Sequence, residues 1–245
     1  MSETKINALV WNEGLHEKKD TRVTDVYPKG IHGTICEFLN SDPLISAKAA
    51  TLSDDEHGLS QEILDKTDVL LWWSHIAHAD VQDAIVERLH KRVLEGMGII
   101  VLHSSHVSKI FKRLMGTSGK LIWRAVAERE VLWVTHPNHP ILKGIDDHFI
   151  IEHEEMYGEH FDIPEPQETI LISSFAGGEV FRSGCTWRRG AGKVFYFRPG
   201  HETYPTFHQA EVQQILINAV HWAAPTGARM KIECPRRDMG WWQKK

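Results

Sequence analysis

The chain has 245 residues, 25% of them charged and 42% hydrophobic, the profile of an ordinary globular protein with length for one large α/β domain or two small ones. A formal net charge of -5, with both signs scattered, leaves no basic footprint for nucleic acid, and no apolar run approaches the ~18 residues that span a bilayer. The first residues show no signal-peptide pattern, and the three cysteines, Cys36, Cys185 and Cys234, lie far apart without C-x-x-C spacing. A reduced, cytoplasmic setting is therefore expected, without a disulfide framework or a cysteine-based metal site.

In chain order, Ile6 to Trp11 (I-N-A-L-V-W) reads as a first strand that ends in the polar set Asn12-Glu13-Gly14-Leu15-His16. Asp25 to Gly33 reads as a loop, after which Ile31, Ile35, Phe38 and Leu39 give a short helical face. Ala47 to Leu52 reads as the second strand, and Ser60 opens a brief helix. Val69 to Trp73 (V-L-L-W-W) is the third strand, followed by Ser74, His75 and His78. Asp80 is expected to cap the next helix, whose face is Val81, Ala84, Ile85, Leu89 and Val93, with Gly96 at its C-terminal end.

Ile99 to Leu102 is a continuous, mostly β-branched apolar run, suited to a strand covered on both faces. It stops abruptly at His103-Ser104-Ser105-His106, and Val107, Ile110, Phe111 and Leu114 then follow at helical spacing. Ser104 or Ser105 could serve only as a helix cap. Two flanking histidines point instead to chemistry at the carboxyl end of a strand, where ligands bind in open α/β sheets. The alternation of strand and helix predicts a doubly wound, mostly parallel sheet.

The second half predicts an antiparallel addition. Leu121 to Val126, Glu130 to Thr135, Phe149 to Ile151 and Thr169 to Ser173 read as short strands, and Val180 to Trp187 with Lys193 to Phe197 as a hairpin. Phe207 to Ala223 is a long amphipathic helix that Pro225 ends. Residues 1–224 are thus expected to form one domain and residues 225–245 an extended tail. The tail carries Trp241 and Trp242, so it is expected to reach a neighbouring protomer of a homo-oligomer or to fold back on its own domain.

The 16 histidines raise the odds of a metal or proton-transfer site. Arg198-Pro199-Gly200-His201-Glu202 follows the last strand, and a His beside an acid there can act as a base with its orienter. The strand ends therefore propose His103, His201, Glu202 and Ser104 as catalytic residues. His16, His75, His103 and His201 come from different strand ends, and three imidazoles with an open position are a common catalytic zinc arrangement. His75, His103 and His201 are the candidate ligands of a divalent metal such as zinc.

Taken together, Trp11-Asn12-Glu13, Tyr27-Pro28-x-Gly30-Ile31-His32, Trp72-Trp73-Ser74-His75, Leu102-His103-Ser104, Glu155-Met156-Tyr157-Gly158-Glu159, Gly177 to Gly184 and Pro199-Gly200-His201-Glu202 resemble the trehalose-utilisation ThuA family from about residue 6 to residue 224. The resemblance implies a fold similar to the class I glutamine amidotransferases, with a flavodoxin-like sheet. That superfamily places a nucleophilic Cys at the strand-to-helix elbow and takes its other triad members from a late H-x-E motif. Here the elbow carries His103, and His201 and Glu202 are adjacent, so a thiol-based glutaminase is not expected. The resemblance implies carbohydrate catabolism on a sugar, a disaccharide or a 3-keto derivative, beside a Gfo/Idh/MocA-type sugar oxidoreductase. Glu13, His16, Trp73, His75, Glu155 and Tyr157 are the expected substrate-binding residues, the aromatic faces covering sugar C–H surface. Trp73 could equally be core. Three readings follow: a His-based acid–base enzyme, a catalytically inactive sugar-binding or partner protein, and a relic glutamine hydrolase.

Overall fold

The nine strands are β1 (Ile6–Asn12), β2 (Ile45–Thr51), β3 (Val69–Trp73), β4 (Gly98–Leu102), β5 (Ile122–Val134), β6 (His148–Gly158), β7 (Glu168–Phe175), β8 (Val180–Arg189) and β9 (Gly192–Phe197). The structure, a computed structural model, describes residues 5–231, 233, 234, 236 and 238–240. All nine strands belong to one sheet, ordered β2-β1-β3-β4-β9-β8-β7-β5-β6. β2, β1, β3, β4 and β9 run parallel, and β8, β7, β5 and β6 continue the sheet by antiparallel pairing. This is the expected mostly parallel α/β sheet with an antiparallel addition.

The apolar runs of β3 and β4 are buried along their whole length, because successive side chains point to opposite faces and both faces are covered. Leu71, Trp73, Ile100 and Leu102 enter one core, with α2 (Thr21–Val26), α3 (Gly30–Leu39) and α7 (Ala210–Ala223) over it. Leu70, Trp72, Ile99 and Val101 enter the other, with α4 (Gln61–Asp65), α5 (Asp83–Leu94) and α6 (Lys109–Met115). Each such side chain contributes about 1.5–3 kcal/mol relative to exposure. Gly98 allows α7 to approach the start of β4: a Cβ there would meet the Ala223 carbonyl at 2.5 Å.

Several local expectations change. α6 begins at Lys109, because a 3-10 turn, His103–Val107, first takes up the segment after β4. Ser108, not Ser104 or Ser105, is its N-cap and accepts from Phe111 N. α5 starts behind Gln82 without a side-chain cap, so Asp80 is not its cap. The two pieces expected at 121–135 are one long strand, β5, irregular between Arg124 and Glu130. Phe149 to Ile151 is only the start of β6, whose charged residues Glu154 and Glu155 are buried and hide the strand pattern. The segment before Tyr27, expected to be open loop in part, forms α1 (His16–Lys19) and α2.

Beyond α7 the chain turns back on its own domain at least as far as Met230. Arg229 pairs with Asp65 and Glu95, and Met230 N donates to the Glu95 carbonyl. Trp241 and Trp242, on which the expected contact between protomers rested, lie outside the described residues. No helix among the described residues is long and apolar enough to cross a membrane.

Candidate active site

The parallel strands β1, β3, β4 and β9 lie side by side, so their carboxyl ends deliver polar residues to one place. β1 supplies Glu13 and His16, β3 supplies His75, β4 supplies His103, and β9 supplies His201 and Glu202. β6 adds Glu155 and Tyr157 although it is the last strand of the sheet. The β-bulges between Arg124 and Glu130 bend the β5–β6 ribbon, and Glu155 Oε2 comes within 3.3 Å of His103 Nε2.

Glu202 is the hub of the inner cluster. Its carboxylate lies 3.5 Å from His16 Nδ1, 3.2 Å from His75 Nδ1 and 3.7 Å from His201 Nδ1. The His16 and His75 rings stack at 4.9 Å. Burial works against the Glu202 charge, but the hydrogen bond to His75 and the three nearby imidazoles outweigh it and hold its pKa far below the usual carboxylate range. His75 moves the opposite way: burial lowers it, yet the bond to Glu202 and the charges of Glu202, Glu155 and Glu13 raise it overall. His16 and His201 are lowered, chiefly by burial.

His103 sits at the elbow with φ +48°, a left-handed conformation that few residues other than glycine adopt. Its Nδ1 lies 3.0 Å from the Arg198 carbonyl. A carbonyl only accepts, so Nδ1 carries a proton and Nε2 faces Glu155 and the Tyr157 hydroxyl at 3.5 Å. The Tyr157 ring stacks on the imidazole at 5.2 Å. Burial disfavours the Glu155 carboxylate, but the His103 hydrogen bond and the His103, His201 and His75 charges bring its pKa down to about 2.

A cavity of about 410 Å³ opens beside this cluster, at the low end of the range for small-molecule sites. His75, Glu155, Tyr157 and Ser104 line it together with His78 and His106, and Val107, Lys120, Leu121 and Trp123 form its outer part. His103 is fully buried and lies behind this wall, so it reaches a ligand through Glu155 and Tyr157 rather than by direct contact.

Three further expectations are corrected. Both Glu13 oxygens accept backbone N–H groups, from His75 at 2.8 Å, Ile76 at 2.9 Å and Ala77 at 3.0 Å, so Glu13 holds the turn that carries His75 and is not free for a substrate. Trp73 is fully buried and donates to the Gly200 carbonyl, leaving no face for a sugar. Ser104 donates to the Ser74 carbonyl at 2.8 Å, which ties the β3 exit to the β4 exit. The expected ligand set also changes. Among the described residues, the group whose ligand atoms all lie within 4.8 Å of one another is His16, His75 and Glu202. The rings of His75, His103 and His201 stand 5.6–6.2 Å apart, and the Nε2 of His103 is turned to Glu155.

Sequence reasoning missed a second layer. Glu154 is fully buried and accepts from Gly200 N at 2.9 Å, His201 N at 3.2 Å and Thr206 Oγ1 at 2.9 Å, which positions the His201-Glu202 loop. Arg198, also fully buried, donates to Glu130 at 2.5 Å and lies over the Tyr157 ring at 5.0 Å. The sequence carries little signal for either: Glu154 stands among other polar residues of β6, and Arg198 follows the end of β9.

His106 makes pH-dependent stability a direct test of this packing. Burial pushes its imidazole down to about 4, with Nδ1 at the Gly119 carbonyl. Below pH ~6.5 the unfolded chain takes up a proton that the folded chain refuses, so stability present above that pH is lost as pH falls toward 4. Between pH 6.5 and 5 this residue should cost on the order of 1–2 kcal/mol. Urea unfolding across that window should show the slope, and His106→Gln should remove this residue's share of it, leaving that of His78.

A mostly parallel, doubly wound sheet with a strand-to-helix elbow and a late His-Glu pair at the strand ends defines an α/β fold with its candidate site at the carboxyl ends of the strands. The profile of the family described as ThuA, trehalose utilisation, matches residues 7–223, and the chain belongs to that family. Its fold is similar to that of a ThuA-like protein from Parabacteroides merdae, with TM-score 0.67 and 14% identity over 94% of this chain and 93% of the other. A ThuA-like protein from Bacteroides uniformis gives TM-score 0.63 and 16% identity over 91% and 92%. A GMP synthase protein from Thermoplasma acidophilum gives TM-score 0.52 and 14% identity over 89% and 93%. At these identities the likeness concerns the fold. No curated protein matches the chain significantly. Membership of a trehalose-utilisation family supports a role in carbohydrate utilisation.

Proposed function

We propose that this chain is an enzyme of carbohydrate utilisation that acts on trehalose, a related disaccharide or a 3-keto-sugar intermediate by His–carboxylate acid–base chemistry with a divalent metal. One observation carries the reading. Side chains from four parallel strand ends and from β6 converge beside one cavity; the ligand atoms of His16, His75 and Glu202 lie within 4.8 Å of one another, and His16 Nε2 is buried without a hydrogen-bond partner among the described residues. Buried polar atoms left open are costly unless a ligand completes them.

His16, His75 and Glu202 fit a zinc-type site, since two imidazoles and one carboxylate are the protein ligands of several catalytic zinc sites. When bound, the ion would act as a Lewis acid that polarises a sugar carbonyl or hydroxyl. The protein's own groups supply the rest. Glu13 orients His75 by fixing its backbone. Glu154 orients His201 and Glu202 through the loop amides. Glu155, ionised and backed by His103, faces the cavity as acceptor for a sugar hydroxyl, and His103 Nε2 exchanges the proton behind it. Glutaminase chemistry is outside this reading, because the elbow position is His103 and its neighbour Ser104 is engaged on a backbone carbonyl.

The second reading, an inactive sugar-binding partner of a Gfo/Idh/MocA-type oxidoreductase, is favoured by the burial of His103 behind the cavity wall. Purified protein should convert 3-keto-trehalose on its own, followed by NMR of the sugar. Turnover only when the oxidoreductase is added would support the partner reading instead.

A further inference from the structure

We infer that the outer half of the cavity is a second sugar subsite, in which Trp123 is the platform for the ring that does not react; this rests on the carbohydrate reading above. Trp123 is 63% exposed yet lines the cavity, an unusual place for an indole unless something covers it. Its position is set by the sheet. Trp123 pairs directly with Tyr157 across β5 and β6, so both side chains leave the sheet on the same side. Tyr157 stacks on His103 at the inner end, and Trp123 therefore extends the same wall outward from the reacting groups. Its neighbour Ile122 turns to the other side, against Gly158.

The lining also carries two imidazoles, those of His78 and His106. His78 Nδ1 is bonded to Ser74 Oγ at 3.0 Å, while its Nε2 is buried and has no partner among the described residues. His106 is fixed through Nδ1 to the Gly119 carbonyl, and its ring stands edge-on to Tyr157 at 5.3 Å. Burial pushes both imidazoles down to about 4, so they meet a ligand as neutral groups. A neutral imidazole can donate to or accept from a hydroxyl, and an indole face covers the C–H surface of a pyranose. An apolar face in one cavity with neutral donors and acceptors is what a second, uncharged sugar ring requires. The charged residues of the lining are Glu155, beside Tyr157 and His103, and Lys120.

The test compares trehalose and glucose by isothermal titration to the full chain, with Trp123→Ala and Trp123→Phe. Trp123→Ala should weaken trehalose binding about tenfold while glucose binding stays within about twofold, and Trp123→Phe should keep most of the trehalose affinity. Unchanged trehalose binding in Trp123→Ala, or an equal loss for both sugars, overturns the inference. So does a fall in mass by light scattering in Trp123→Ala, which would show the indole covered by a second copy. Wild-type protein that binds neither sugar overturns the carbohydrate reading and the subsite with it; trehalose binding that Trp123→Ala leaves intact overturns the subsite alone.

Discussion

If the proposed metal site and activity hold, replacing Glu202 by Gln should empty that site and stop turnover while the fold survives. Glu202 is the one side chain that meets His16, His75 and His201 together, and it supplies the only carboxylate of the candidate ligand set. An amide keeps the shape and one acceptor oxygen but brings no negative charge. Even removal of an outer-shell partner lowers metal affinity about 10–100-fold, so loss of a direct ligand should lower it by at least about a hundredfold. Elemental analysis of protein purified without chelator or His-tag should find about one divalent ion per wild-type chain and little in Glu202→Gln. His75→Ala should behave the same way. Full metal content in both variants would place the ion elsewhere, and full activity of metal-free wild-type protein would remove metal from the chemistry.

Arg198→Ala should be the most destabilising single change in the second layer. The guanidinium has no solvent exposure, donates to Glu130 and carries a positive charge beside Glu154. Burial works against the Glu154 charge, but Arg198, His103 and the amides of Glu155 and Gly200 hold its pKa down. Without Arg198, Glu130 and Glu154 lose the buried guanidinium that faces them, a loss of about 3–5 kcal/mol. Guanidinium unfolding should show it as a lower midpoint at unchanged slope. The double variant Arg198→Met with Glu130→Leu should recover much of the loss, because a buried pair is costly to break but not costly to replace with packed apolar groups. A small loss in Arg198→Ala would mean that water reaches the site and screens the carboxylates.

The parallel half of the fold was legible because its signals are local. V-L-L-W-W and G-I-I-V-L are too apolar for anything but strands covered on both faces, and each ends in residues that cannot stay in a core. His16, His75, His103, His201 and Glu202 could be placed near one another from that alone. The division of labour among them could not. Burial of His103 behind Glu155, occupation of both Glu13 oxygens by backbone amides and the choice of His16 over His103 beside Glu202 depend on side-chain directions set by loops. Trp73 and Trp123 make the same point. Both stand near a strand end beside apolar neighbours, yet Trp73 is fully buried and Trp123 is exposed. The sequence pattern shortens β6 because Glu154 and Glu155 break its apolar run; a buried carboxylate with four donors around it looks, in sequence, like a surface residue.

The place of β9 between β4 and β8 has a consequence for how the chain is made. β4 ends at Leu102, but the strand that covers its open side begins only at Gly192. On the ribosome, the most apolar strand of the protein therefore waits with one row of backbone groups unpaired while the whole antiparallel half is synthesised. An exposed apolar edge of this kind is a template for pairing with another chain. The order of strands that builds the candidate site also delays its completion until β9 is made, late in translation, and until then that edge must be kept apart from its neighbours.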